Sequence, residues 1–151
     1  MPFQRLLVAI DGSEFAAHAL EVASSLAAAL SAHIGLVHVI DPKLVAGETG
    51  VPADQLWAVL RRDGHSLLDT AAAALPAHPR AWKFLREGTP WQEIIESARE
   101  WPADVIVVGT HGRSGLTRLL LGSTAEEVVR HGPCPVVVVP PTVATGLGDT
   151  N

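Results

Sequence analysis

Five short apolar runs, separated by longer amphipathic segments, constrain this chain more than any other feature. The runs are RLLVAI (Arg5–Ile10), IGLVHVI (Ile34–Ile40), AWKFLRE (Ala81–Glu87), DVIVVG (Asp104–Gly109) and PVVVVP (Pro135–Pro140). Most are rich in valine and isoleucine and are apolar at consecutive positions, which is typical of parallel strands covered by helices on both faces. The third run alternates apolar and charged residues, which favours an edge strand.

The segments between these runs predict four helices, and the order is therefore β-α-β-α-β-α-β-α-β. The helices are Ser13–Ala32, about Asp54–Leu75 despite Gly64, Thr89–Trp101, and Ser123–His131. Ser13 is the expected N-cap of the first, and Thr89 with Gln92 predicts a capping box on the third. Right-handed crossovers then predict one α/β domain, a three-layer doubly wound five-stranded parallel sheet.

Composition excludes several classes of protein. The chain has 151 residues, 48% of them hydrophobic, which suits one globular domain, here expected at residues 1–141 with a polar tail at 142–151. A net charge of −5 argues against a general nucleic-acid binder. Since Cys134 is the single cysteine, no internal disulfide forms. No signal peptide or membrane span is recognisable, and a cytoplasmic protein is expected.

The connection between the fourth strand and the fourth helix is unusually long. Thirteen residues separate Gly109 from Ser123, whereas such loops usually have about 2–6 residues. The loop contains Gly112, Gly115 and Gly122, whose backbone N–H groups an anion can approach closely. It leads into a helix N-terminus, which favours phosphate. A phosphate-bearing ligand accounts for the length and the glycines together.

Basic and hydroxyl side chains in this loop suit the same ligand. Arg113 and Arg118 offer positive charge, and Ser123 and Thr124 offer hydroxyl donors at the helix start. Asp11 follows the first strand directly, so it shares a crevice with Gly109 if strands one and four are neighbours. No GK[ST] sequence is present, and the turn after strand one lacks a dinucleotide fingerprint.

The spacing of these glycines resembles a known family signature. In VVGTHGRSGLTRLLLGST, a glycine is followed after two residues by a second, and after nine more by glycine and serine. This resembles the ATP-binding signature of the universal stress protein family. LLVAIDGSEFAAHAL, LVHVID and AEEVVRHGPCPVVVVP also resemble that family, in register from Phe3 to Pro140. The resemblance implies strand order 3-2-1-4-5, ATP with Mg²⁺ or Mn²⁺ as cofactor, and a homodimer.

The resemblance also implies a role for individual residues. The base pocket is formed by Ala9 and by the backbone of Val39, and Gly109 approaches the ribose. Asp11 holds the ribose or the metal and phosphates. The remaining expected contacts surround the phosphates and are Gly112, Arg113, Gly122, Ser123 and Thr124. This chain departs from some ATP-binding members at Ala125, where they carry a further hydroxyl.

Plainer interpretations remain open for several of these residues. Ser123 and Glu126 also fit a capping box, and Asp11 also fits a carboxylate stabilised by a helix dipole. His111 is expected to be solvated, with a phosphate contact as the alternative. The seven histidines show no metal spacing, and the tryptophans are not spaced as a platform for bases.

Three functions compete on this reading. The first is an ATP-binding regulatory homodimer in stress response, with an unidentified signalling partner, no nucleic acid and no membrane. Its dimer contact is predicted at the edge strand Val136–Val139, where pairing would cover an open ladder. The second is a nucleotide-free dimerisation module, and the third is a slow ATP hydrolase. No catalytic residue is assigned, because no activated nucleophile or general base accompanies the site.

Overall fold

The structure, a computed structural model, describes residues 2–47, 49–76, 81–111 and 121–141. The strands are β1 (Arg5–Ala9), β2 (His33–Ile40), β3 (Trp82–Glu87), β4 (Val105–Gly109) and β5 (Val136–Val139). The helices are α1 (Glu14–Leu30), α2 (Ala53–Ala73), α3 (Pro90–Glu100) and α4 (Ser123–His131), with a 3₁₀ turn at Pro42–Leu44. The predicted alternation of strands and helices is confirmed. The predicted tail lies outside the described residues.

The five strands form one parallel sheet in the order β3-β2-β1-β4-β5, which confirms the expected topology. β1 is central, with Leu7 opposite Gly35 of β2 on one side and Ile106 of β4 on the other. β3 is an edge strand, as its alternating pattern predicts, and β5 forms the opposite edge. The chain order reverses between β1 and β4.

Helices cover both faces of the sheet, so the strands are apolar at consecutive positions. Leu6 and Val8 of β1 belong to the core beneath α1 and α2, whereas Leu7 belongs to the core beneath α3 and α4. β4 repeats this pattern, with Val107 on the first face and Ile106 on the second. Burial of these side chains stabilises the fold by about 25 cal/mol for each Å² of apolar surface removed from water. This gain favours the three-layer arrangement.

Gly64 is needed where α2 crosses the sheet. A Cβ atom at this position would lie 2.7 Å from Cδ1 of Leu85 and 3.1 Å from Cδ2 of His38. The missing side chain therefore permits a close approach of α2 to β2 and β3. This explains why the helix continues through a residue of low helix propensity.

Polar contacts tie the edge strand β3 to both layers. Arg86 donates to Glu100 at 2.6 Å and to Glu93 at 3.2 Å, both on α3, and the hydrogen bond to Glu100 raises the pKa of Arg86. On the other face, Lys83 donates to Asp69 of α2 at 2.7 Å. The pairs that involve exposed partners, Glu100 and Asp69, contribute little free energy each, but together the contacts satisfy Lys83 and Arg86 of the third run.

The helix starts are only partly as predicted. Ser13 caps α1, because its Oγ accepts the N–H of Ala16 at 3.1 Å. Thr89 is the N-cap residue of α3, but its side chain makes no capping hydrogen bond, so the predicted box with Gln92 is wrong. α3 begins instead with Pro90, whose fixed φ suits a first turn.

No helix within the described residues is both long enough and apolar enough to cross a bilayer.

Candidate functional site

The candidate site lies at the carboxyl ends of β1 and β4, where the chain order reverses. The predicted adjacency of these strands is confirmed, since Val8 pairs with Val107. Continued by two residues, this register brings Ile10 level with Gly109 at the end of β4, and Asp11 is the next residue. Ligands of open α/β sheets bind at such a point, because the connections leave in opposite directions and open a crevice.

The turn from β1 into α1 is fixed by its own polar groups. Asp11 is half-buried, and its Oδ1 accepts the N–H of Ser13 at 2.9 Å. Gly12 has φ +82°, in the left-handed region that favours glycine. Ser13 then caps the helix. The sequence DGS thus holds the Asp11 carboxylate at the mouth of the crevice, beside the N-terminus of α1.

Ala9 and Val39 lie on the same face of the sheet. Both side chains are half-buried and pack against the core beneath α3 and α4. Ala9 pairs with Val37, two residues before Val39, so Val39 extends beyond the end of β1. The structure therefore brings these two expected base contacts to one end of neighbouring strands, near Asp11.

The start of α4 is anchored to the end of β4. The N–H of Gly122 donates to the carbonyl oxygen of Thr110 at 2.6 Å. A Cβ atom at Gly122 would lie 2.7 Å from that oxygen and 3.2 Å from Cα of His111. Glycine is thus required here by backbone packing, and the helix N-terminus is held next to the crevice.

The alternative interpretation of Ser123, as the N-cap of a capping box, is wrong. Gly122 is the N-cap and Ser123 is the first helical residue; the N–H of Glu126 bonds to the carbonyl of Gly122 at 2.9 Å. The carboxylate of Glu126 accepts from Arg130 at 3.0 Å instead of reaching back. Ser123 is exposed and Thr124 half-buried. Their hydroxyls stand at the first turn, where backbone N–H groups have no intrahelical acceptor.

The burial of Ala125 explains why this chain lacks the hydroxyl that some family members carry at this position. It is 3% exposed and belongs to the core beneath α3 and α4. A hydroxyl here would be placed in an apolar cluster, so this chain favours packing of α4 over a further polar group.

The first turn of α1 leaves no room for a side chain at Gly109. A Cβ atom at Gly109 would lie 2.9 Å from Cβ of Phe15 and 3.0 Å from its carbonyl carbon. The end of β4 and the first turn of α1 therefore touch through glycine. Packing against Phe15 alone explains why this position carries no side chain.

His111 differs from its expected solvated state. It is only 9% exposed, its ring centroid lies 5.4 Å from that of Phe15, and its Nδ1 lies 3.1 Å from Oγ1 of Thr110. Among the described residues, nothing hydrogen-bonds to its Nε2. Residues 105, 107 and 109 of β4 face α1, and continuing this alternation places His111 on the same side. That periodicity is the signal by which its burial could have been found.

His38 also supports the site, without having been singled out from the sequence. Its Nδ1 lies 2.7 Å from the carbonyl oxygen of Ile10, and the N–H of Ile10 donates to Val37 at 2.8 Å. Since a carbonyl can only accept, Nδ1 carries the hydrogen. His38 therefore holds the chain just before Asp11. No sequence motif marks this contact, which depends on the register of β1 and β2.

Two expected phosphate contacts, Gly112 and Arg113, lie outside the described residues, as does Arg118. Within the described ranges, no group of three or more histidine, cysteine, aspartate or glutamate side chains could hold a metal ion. The carboxylate of Asp11 still fits Mg²⁺ that arrives with phosphates, because this ion keeps waters and uses one or two carboxylates.

Comparison with known proteins agrees with this arrangement. The profile of the universal stress protein family matches residues 2–140. Universal stress protein MJ0531 of Methanocaldococcus jannaschii is 33% identical over 142 residues, covering 91% of this chain and 82% of the relative.

Solved structures share the same architecture. The hypothetical protein MJ0577 has a TM-score of 0.82 at 26% identity, covering 92% of this chain and 96% of that one. A universal stress protein solved in complex with cAMP has a TM-score of 0.70 at 24% identity, covering 94% of this chain and 100% of that one. Since the family profile spans every described helix and strand, the chain belongs to the universal stress protein family.

Proposed function

We propose that this protein binds ATP, with Mg²⁺ or Mn²⁺, at the carboxyl ends of β1 and β4, and acts as a nucleotide-responsive regulator in stress response. The observation that carries the proposal is the 2.6 Å hydrogen bond from Gly122 to Thr110. It holds the N-terminus of α4 at the crevice that Asp11 borders. A fixed helix N-terminus offers a polyphosphate several backbone donors and a favourable dipole.

Each expected contact has a place in this proposal. Ala9 and the backbone of Val39 border the adenine, and Gly109 borders the ribose. Asp11 contacts the ribose or the metal with its phosphates. The phosphates are surrounded by Gly112, Arg113, Gly122, Ser123 and Thr124. Within the described part of the chain no side chain caps α4, which supports this proposal because the hydroxyl of Ser123 is not committed to its own helix.

The neighbour solved with cAMP broadens the set of ligands to be compared. At 24% identity it shares the fold, and its ligand is also an adenine nucleotide. Mass spectrometry of nucleotide released from the purified protein would identify the resident ligand. Calorimetry with ATP, AMP and cAMP, each with and without Mg²⁺, would then rank affinities. Absence of binding by all three at millimolar concentration would refute the proposal and leave the nucleotide-free module.

Site variants should separate the roles of the contacts. Thr124→Val keeps the shape of the side chain but removes the hydroxyl, and should weaken ATP binding about tenfold, as loss of a hydrogen bond to a charged group does. Asp11→Asn should weaken binding of Mg²⁺-ATP more than that of free ATP. Thr49→Val, in an exposed loop, is the matched control. Equal affinity in Thr124→Val and the control would remove the first turn of α4 from the site.

A regulatory role is preferred to catalysis because the described residues contain no paired nucleophile and base at the crevice. His111 is buried against Phe15 rather than open to a substrate. Slow ATP hydrolysis remains the alternative, and phosphate release under single-turnover conditions measures it. Turnover abolished by Asp11→Asn would favour the hydrolase.

We further propose a homodimer paired through β5. Pro135 and Val139 direct their carbonyls to β4, accepting from Ile106 and Thr110, so the backbone of Val138 faces the open edge by alternation. Among the described residues, Val129 of α4 is an exposed apolar side chain, 50% accessible, which a second copy could cover. Val138→Pro removes the outward N–H while sparing the pairing with β4, and should yield a monomer in analytical ultracentrifugation. Val138→Ala should remain a dimer, and a dimeric Val138→Pro would refute this contact.

A further inference from the structure

A cleft of about 520 Å³ lies between α1 and α2, on the face of the sheet opposite α3 and α4. It begins at Ile10 and Gly12, at the end of β1, and continues between the two helices. Its volume falls in the range of about 300–1,000 Å³ that is usual for sites of small molecules. The contacts proposed for the nucleotide do not use it.

The cleft exists because α1 presents small side chains to α2. α1 packs over β1, β2, β4 and β5, whereas α2 packs over β2 and β3. Ser13, Ala16, Ala17 and Leu20 line the cleft at the spacing of one helical face. Two alanines at its centre cannot span the distance to the other helix. The gap therefore stays open above a buried apolar floor that includes Ile10 and Leu20, which are 7% and 8% exposed.

α2 contributes a wall with two stripes. Leu67 and Ala71 face the depth of the cleft, where Ala71 is buried and Leu67 half-buried. Asp63, Ser66 and Thr70 form a parallel polar stripe, exposed at the mouth. An apolar interior with a few converging polar groups at one side is the usual form of a site that binds and orients a small molecule.

We infer that this cleft binds a small amphipathic cation, an apolar body ending in a protonated amine. The apolar body lies along Ala16, Ala17 and Leu67, and the ammonium group meets the carboxylate of Asp63. Among the lining residues that the structure describes, Asp63 is the one with a formal charge. Its contact with Arg62, at 3.6 Å between exposed side chains, is weak enough to yield.

The polar stripe favours an amine over other head groups. The hydroxyl oxygens of Ser66 and Thr70 accept hydrogen bonds from an ammonium group beside Asp63. A carboxylate head would instead meet a like charge. The net charge of −5 also favours the approach of cations. This inference does not depend on nucleotide binding, since the cleft is lined mainly by α1 and α2, whereas the nucleotide contacts lie at the strand ends, in the adjoining loops and on α4.

Calorimetry on the full chain tests the chemistry of the ligand, with three probes kept below their micellar concentrations or, for the neutral probe, below its solubility limit. The probes are decylammonium, decanol and decanoate, which share one apolar body. Decylammonium should bind saturably with one site per chain, decanol more weakly, and decanoate most weakly. Binding of decanoate as tight as that of decylammonium would overturn the inference.

Two pairs of variants test the location. Ala17→Phe fills the cleft from an exposed position and should weaken the binding of decylammonium and decanol at least tenfold. Ala28→Phe, at an exposed position of α1 outside the cleft, should leave both affinities unchanged. Asp63→Asn should weaken decylammonium about threefold and leave decanol unchanged, as for an exposed ion pair. Asp54→Asn, at the first turn of α2, is its control. Ala17→Phe binding as tightly as Ala28→Phe, with both folded by circular dichroism, would exclude this cleft.

Discussion

Ser97 provides a direct test of how this fold treats buried polar groups. The side chain lies on α3, is 2% exposed, and its Oγ has no hydrogen-bond partner within the described residues. A buried hydroxyl without a partner loses its hydrogen bonds to water and gains none in return, which costs about 1–3 kcal/mol. Ser97→Ala should therefore stabilise the protein.

The magnitude has two parts. Relief of the unpaired hydroxyl contributes about 1–3 kcal/mol. The higher helix propensity of alanine adds about 0.5 kcal/mol. A gain of about 2 kcal/mol corresponds to a Tm increase of roughly 4–8 °C for a chain of this size.

Ser25→Ala separates the two parts. Ser25 is exposed in the middle of α1, so its replacement changes helix propensity alone. Urea unfolding of both variants at neutral pH gives each free energy of unfolding, and the difference between them isolates burial. If Ser97→Ala is no more stable than Ser25→Ala, or is destabilised, the hydroxyl has a partner and the reasoning fails.

Three further predictions concern the site and its surroundings. Gly122→Ala should destabilise the protein by about 1–3 kcal/mol, because its Cβ would lie 2.7 Å from the carbonyl oxygen of Thr110. The control is Gly47→Ala, which has open space around it and should not destabilise the protein. Equal urea midpoints for the two variants would contradict this prediction. His38→Leu should lower the free energy of unfolding by about 1 kcal/mol, because the hydrogen bond to the carbonyl of Ile10 is lost. His38→Asn should recover part of this loss, because its amide can replace Nδ1 as donor. Equal losses in the two variants would show that packing alone matters. Burial, and then the charge of Asp104, raise the pKa of the Cys134 thiol, so the native state favours the protonated form. This contribution to stability is present below the ordinary thiol value of about 8.5 and is lost as pH rises through the higher native pKa. Cys134→Ala should lack that loss in unfolding measured between pH 7 and 10, and alkylation of native Cys134 should be slow at pH 8; alkylation as fast as in the unfolded chain would disprove the shift.

The constraint at Gly122 affects how the nucleotide site should be tested. A large residue here would clash with backbone before it reached any phosphate, so Gly122→Val would confuse loss of the fold with loss of binding. Thr124 is the sharper choice, because a half-buried side chain that keeps its shape can lose its hydroxyl alone.

The amino-acid sequence by itself determined the architecture, because strand and helix periodicities are local properties. Consecutive apolar residues in β1 and β4 are needed only if both faces are covered, so Leu6 and Leu7 alone already favour a sheet between two helical layers. The N-cap at Ser13 and the end of α4 before Gly132 could likewise be predicted from the sequence, since helix capping and termination depend on neighbouring residues. The glycines after β4 predict a phosphate site at this end of the sheet, and that prediction also depends on local spacing alone.

Only the tertiary structure decided what the same residue types do when distant segments meet. The pattern Ser123–Glu126 fits a capping box, yet the bond from Gly122 to Thr110 makes Gly122 the cap instead. His111 is buried because Phe15 lies against it, and His38 reaches Ile10 only through the register of two strands. The cleft beside α2 depends on where the alanines of α1 face. Such outcomes depend on contacts between residues far apart in the chain, and local sequence patterns carry no information about their distances.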